Sequence, residues 1–332
     1  MSYTNGLDDP SAYFQTKIYT GNGSTQDITF DGNSNLQPDF LWLKGRSLAE
    51  GHTLQNSVSG VTKHLHSQNT DAEITDTGIV TAFNSNGFSL GDEGDVNGNT
   101  STFVGWGWKE TATAGFDIVS FTGSGSQRTV SHNLGVKPSM IIVKNRSASE
   151  NWIVYDKING AGNFMALNLT SASAASSSMF GVEPTTSVFT VGTSNATNKS
   201  SSNMIAYCFA DVKGYSKVGG SYVGNGSSDG VFCFTGFKPS FLMYKASSIS
   251  GQSWLIHDNK RGNQGANANP QDLRLLANAT NTEADVNIDF LSNGFKARAS
   301  DAHINSSGTT YIYMAFAENP FVTSTGIPTT AR

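Results

Sequence analysis

Short apolar runs broken by turn dipeptides, not a 3.6-residue rhythm, dominate the chain. Stretches such as Phe103-Val104-Gly105-Trp106-Gly107-Trp108 and Tyr311-Ile312-Tyr313-Met314-Ala315-Phe316 are the length of single strands. Asp31-Gly32, Asn86-Gly87 and Asn293-Gly294 separate such runs, and these dipeptides suit tight hairpins because their residues tolerate positive φ. The pattern predicts an all-β chain. The best helix signal, over residues 269–277, predicts one or two turns, whereas the corresponding stretch 163–169 reads as a strand.

The same pattern is written three times. Each copy opens on an aromatic and a Gly-x-Gly-Ser turn: Tyr19 to Ser24, Phe121 to Ser126 and Tyr222 to Ser227. Each continues through a Pro and an apolar run to a lysine, at Lys44, Lys144 and Lys245. Trp152-Ile153-Val154-Tyr155-Asp156 matches Trp254-Leu255-Ile256-His257-Asp258, and the first copy holds the diverged His52-Thr53-Leu54-Gln55-Asn56. Each copy closes on an apolar, aromatic-bearing strand followed by an acid: Glu110, Asp211 and Glu318. The middle copy lacks the Asn-Gly-Phe turn and reads Val188-Phe189-Thr190-Val191 there.

A period near 100 residues is that of a self-contained sandwich, about twice a solenoid repeat. The predicted fold is therefore all-β, with three tandem β-sandwich (jelly-roll or lectin-like) units. Their expected bounds are 17–112, 113–213 and 214–321, after an N-terminal anchoring segment, 1–16, and before a C-terminal tail, 322–332. The pair Tyr13-Phe14 reads either as part of that anchor or as a strand completing the first unit. The pattern leaves open whether the units have separate cores or share one sheet system.

Composition narrows the class. Charged residues are 14% of the chain and it has 35 Gly, which excludes a helical bundle, while 20 Phe, 10 Tyr and 5 Trp supply cores. A net charge of −5 without clustered Lys and Arg argues against nucleic acid and anionic membrane as partners. No apolar stretch approaches the roughly 18 residues of a membrane span, and the N-terminus has no secretory pattern, so cytoplasmic synthesis is expected. Cys208 and Cys233 read as buried thiols.

Candidate chemistry is sparse. Asp95, Asn97 and Asn99 alternate as oxygen ligands of a weak calcium loop, set against a plain solvated loop. His64 and His66, with His52 nearby, form a weak metal-binding pair, set against exposed histidines on a polar strand. Trp106 and Trp108 would share one face and could stack on a sugar, or pack between units; Trp42, Trp152 and Trp254 read as core. Asp156, Asp258, Glu183, Glu283 and Asp285 are the acids open to a glycosidase, with turn capping as the simpler role for the recurrent Asp156 and Asp258. Lys44, Lys144 and Lys245 are expected to end their strands and reach solvent, and with Arg46 and Arg146 are assigned no ligand. No cofactor and no catalytic residue are expected.

The third copy, from Tyr215 through Ser227, Gly236 to Pro239, Ser253 to Asp258, Phe290 to Lys296 and Tyr311 to Phe321, resembles a domain family of marine bacteriophages. Residues Asp8 to Pro10 and Tyr13 to Lys17 share the pattern. Such proteins are similar to tail-fibre and other virion structural proteins of cyanophage-like particles. With the three-unit array, low charge and sparse chemistry, the resemblance implies a non-enzymatic virion protein on the particle exterior, serving host attachment; as contacts fall on loops rather than strands, segments 91–100, 170–187 and 259–270 are expected to make them. Its implied partners are other virion proteins, copies of itself (a trimer among the options) and a host surface glycan or protein. A capsid decoration protein and a polysaccharide depolymerase are the alternatives.

Overall fold

A computed structural model describes residue 7 and residues 9–319; the expected tail, 322–332, lies outside the described residues. The protein is all-β. The first repeat contributes β1 (Phe14–Thr20), β2 (Gln26–Thr29), β3 (Phe40–Gly45), β4 (His52–Asn56), β5 (Lys63–His64), β6 (Ile74–Thr75), β7 (Val80–Asn84), β8 (Gly87–Leu90) and β9 (Thr102–Trp108). The second contributes β10 (Phe116–Thr122), β11 (Arg128–Ser131), β12 (Met140–Asn145), β13 (Ile153–Asp156), β14 (Asn163–Ala166), β15 (Ala174–Ala175), β16 (Val188–Val191) and β17 (Asn203–Phe209). The third contributes β18 (Ser216–Val223), β19 (Phe232–Phe234), β20 (Phe241–Ala246), β21 (Leu255–Asp258), β22 (Gln271–Leu276), β23 (Ala284–Leu291), β24 (Gly294–Ala297) and β25 (Thr310–Phe316).

Each repeat builds an inner antiparallel sheet in one order: β1-β9-β3-β4, then β10-β17-β12-β13, then β18-β25-β20-β21. Register is preserved as well, since Trp108, Phe209 and Phe316 lie opposite Phe40, Met140 and Phe241. The outer strands vary. The first repeat has β2-β8-β7 and the third β19-β24-β23, each with a hairpin at its Asn-Gly turn; the second, without that turn, keeps only β11-β16. Two expectations are corrected. Residues 271–276 form a strand, because they pair with β21 and β23, which overrides weak helix propensity. Residues 14–16, expected in an anchoring segment, begin β1, where Phe14 pairs with Trp108.

The inner strands are buried on both faces, which explains their unbroken apolar character. One face of each packs under its own outer strands: Leu41 and Leu43 with Phe88 and Leu90, Ile141 and Val143 with Phe189, Leu242 and Tyr244 with Phe290 and Phe295. The other face of all three meets in a single central core that includes Phe40, Trp106, Trp108, Trp152, Tyr207, Phe209, Phe241, Trp254 and Phe316. Each such side chain contributes about 1.5–3 kcal/mol by burial. Residues from all three repeats line a central apolar void of about 10 Å3, the space of one water and too apolar to hold it.

Candidate functional site

The polar chemistry of the protein concentrates at the seams between repeats. Residues 66–75 of the first repeat reach onto the second, 166–175 of the second onto the third, and 276–283 of the third onto the first, closing a ring. At the first seam Trp152 donates its indole N–H to the carbonyl of His66 at 2.9 Å, and Glu73 N–H donates to Arg146 O at 2.9 Å. At the second, Trp254 donates to Ala166 O at 3.0 Å and Ser173 N–H to Ser247 O at 2.8 Å. At the third, His52 Nε2 takes the tryptophan's place against Leu276 O at 2.8 Å, and Glu283 N–H donates to Arg46 O at 3.2 Å.

The three lysines complete the same ring, and here the sequence expectation is overturned. Lys44, Lys144 and Lys245 are fully buried. Their ammonium groups turn inward, each donating to a threonine carbonyl of another repeat: Lys44 to Thr280 (3.2 Å), Lys144 to Thr70 (3.0 Å) and Lys245 to Thr170 (3.4 Å). Further carbonyls of their own repeats, at Gly45, Asn145 and Ala246, accept from the same nitrogens. Burial pushes each ammonium pKa down to about 8, while the surrounding carbonyl dipoles favour the charged form.

Of the acids open to a glycosidase, Asp258 and Glu283 join these contacts, whereas Asp156, Glu183 and Asp285 bond within their own repeats. Asp258 accepts from Arg261 Nε at 2.5 Å and from Trp106 Nε1 of the first repeat at 3.0 Å. Glu283 receives both Arg261 (3.0 Å) and Arg46 (2.7 Å), and the fully buried Arg261 guanidinium also lies 5.5 Å from the Trp106 ring centroid. Arg146 pairs with Glu73 through two nitrogens, at 2.6 and 2.9 Å. Asp156 caps the turn after β13 through the N–H groups of Ile158 and Asn159. Glu183 accepts from Tyr155, Lys137 and Ala161 N–H, and the exposed Asp285 lies 3.4 Å from Asn263. Burial, followed by the nearby Asp117, raises the Glu110 carboxyl to about 7, although Ile118 N–H of the next repeat donates to it.

Trp106 and Trp108 do share a face, but it is the central core, with 0% and 2% exposure, so no sugar can stack on them. His64 is buried rather than exposed, its ring 5.0 Å from the half-buried His66; burial lowers its pKa to about 4. His66 contacts the carbonyl of His52, and the structure brings no third His, Cys, Asp or Glu into a metal-holding group with them among the described residues. Asp95, Asn97 and Asn99 are divided: Asn99 is exposed, Asp95 half-buried and Asn97 fully buried.

Asn97 exposes a device that sequence reasoning missed. Its side-chain oxygen accepts from Asn22 N–H at 3.0 Å, and its nitrogen donates to Ser24 O and Gly91 O. Asn198 treats Ser124 and Ser126 in the same way, and Asn305 treats Asn225 and Ser227. One buried asparagine thus fastens the Gly-x-Gly-Ser turn of every repeat. The signal was the recurrence of an Asn before each closing strand. Cys208 and Cys233 are buried free thiols, as expected.

The third repeat departs from the others on its outward surface. A groove of about 560 Å3 runs beside β23 and β24, lined in part by Asp229, Asn287, Asp289 and Arg298. Lys296 lies 2.6 Å from Asp229, and Arg298 lies 3.4 Å from both Asp229 and Asp289.

A family model described as a domain of unknown function, DUF7483, matches residues 9–320, and the chain belongs to that family. No curated protein matches it.

Proposed function

We propose that this member of the DUF7483 family is a non-enzymatic structural protein of a bacteriophage particle, carried on the exterior as a tail-fibre or appendage protein in host attachment. The closed ring carries the reading: three repeats hold one another through equivalent lysine-to-carbonyl contacts around one core, with an indole at two seams and His52 at the third. We read the repeats as β-sandwich units, the first beginning with β1 at Phe14, the second with β10 and the third with β18. Such a ring is a rigid mount whose outer sheets and loops face outward in three copies, so weak contacts add as avidity. The exposed parts of loops 91–100, 170–187 and 259–270, outside the seam residues 170–175 and the buried Asn97, Asn259 and Arg261, are the contact segments of this reading, with copies of the chain and other virion proteins as packing partners.

The resemblance of the repeats to tail-fibre-like proteins of marine phages supports the same reading. The test is antibody labelling of intact particles by electron microscopy, paired with adsorption of particles lacking the protein. Label on the tail or its appendages and a loss of adsorption are expected. Label confined to the capsid, or normal adsorption without the protein, overturns the attachment role.

A further inference from the structure

We propose that the outward face of β19, β24 and β23 binds a neutral oligosaccharide. Phe232 and Phe234 are 44% and 65% exposed, while Cys233 between them points into the core. Two residues apart on a strand, their side chains leave the backbone on one face at points about 7 Å apart. The corresponding positions are Asp27 and Thr29 in the first repeat and Thr129 and Ser131 in the second, so the aromatic pair is peculiar to the third. The Phe232 ring lies over Gly294, where a Cβ would come within 2.9 Å of its Cε2. A missing side chain therefore lets the ring lie over the sheet, a platform suited to the apolar face of a pyranose.

Polar groups continue from that platform. Phe232 lies opposite Lys296, and Lys296 opposite Asp289, so the aromatic surface runs directly into the charged groove. Asp229, Asp289, Lys296 and Arg298 pair with one another there, which fixes their orientation and balances their charges. Asn287, exposed on the same strand, makes no side-chain hydrogen bond to another described residue. Apolar rings beside oriented, charge-balanced donors and acceptors fit a neutral polyhydroxylated ligand, as apolar walls with a few placed polar groups fit small ligands generally. Strand addition at this edge is a poorer match, because β19 is three residues long and the charged Asp229 lies just before it.

The assignment deepens the attachment reading by naming a receptor class, and rests on that reading for its biological setting only. Its test uses the purified full chain, titrated calorimetrically with neutral hexasaccharides of glucose, galactose, mannose and N-acetylglucosamine. Saturable binding of at least one is expected. The double variant Phe232→Thr, Phe234→Ser, which installs the second repeat's residues, is expected to weaken it by about tenfold or more with Tm unchanged. Asn287→Ala is expected to weaken it less. Binding of none of them, equal binding by the double variant, or binding of only sulfated or uronic-acid oligomers overturns the proposal. So does concentration-dependent self-association without sugar binding that the double variant abolishes. Normal adsorption of particles lacking the protein, with sugar binding intact, defeats the attachment reading and leaves this one standing.

Discussion

Trp42 donates its indole N–H to Nδ1 of His52 across 2.8 Å, while His52 Nε2 donates to Leu276 O in the third repeat. The pair stands where the other repeats hold Ile142 with Trp152 and Met243 with Trp254. The large ring has moved from one strand to its neighbour, and the histidine keeps the seam bond that the tryptophan makes elsewhere. Burial drives the His52 pKa down to about 3, so it is neutral with its proton on Nε2.

That exchange predicts strong coupling. His52→Trp alone overfills the site and costs about 1–3 kcal/mol. Trp42→Ile alone leaves a cavity and costs about 2–3 kcal/mol. The double variant reproduces the second repeat's pair and loses less than the sum by about 1 kcal/mol or more, read from denaturant midpoints.

Lys144 donates to the carbonyls of Thr70, Asn145, Ala148 and Glu150. Lys144→Met strands those acceptors in a buried seam and is expected to cost about 2–4 kcal/mol in equilibrium unfolding. A lysine reaching solvent would give a change near zero.

Asn198→Ala removes the fastening of the second Gly-x-Gly-Ser turn and is expected to cost about 2–3 kcal/mol. Asn99→Ala, at an exposed position, changes stability by less than about 0.5 kcal/mol. Calcium leaves the Tm unmoved, because the Asn97 side chain is already committed within the fold.

Glu110 gives the pH dependence a defined sign. Its pKa rises from 4.5 to about 7 on folding, so the folded chain holds an extra proton between those values. The resulting stability is complete below about pH 4.5 and is lost as pH rises through about 7. The Tm of the wild type relative to Glu110→Gln is therefore expected to fall between pH 5 and 8. A constant difference contradicts the shift.

The repeats, their hairpins and their closing strands were legible because glycine turns and aromatic-bearing strands leave a mark in the sequence itself. The sequence also shows that the second repeat lacks the Asn-Gly turn, at Val188-Phe189-Thr190-Val191, and the structure adds that the hairpin goes with it. The shared core was not legible. An apolar run such as Met140 to Val143 looks the same whether its second face meets its own repeat or two others. Lys44, Lys144 and Lys245 misled for a related reason: their partners are backbone carbonyls of another repeat, which carry no side-chain signature. Trp106 and Trp108 were read correctly as same-face residues, and only the packing of the sheets decides that the face is internal. Phe232 and Phe234 stand out once the registers align them with Asp27, Thr29, Thr129 and Ser131.

The central claim is that three repeats form one closed ring around a common core, and differential scanning calorimetry of the intact chain tests it most directly. A single transition with equal calorimetric and van't Hoff enthalpies is predicted, and Lys144→Met shifts that whole transition to lower temperature. Two or three separable transitions, with Lys144→Met displacing only one of them, would contradict the ring.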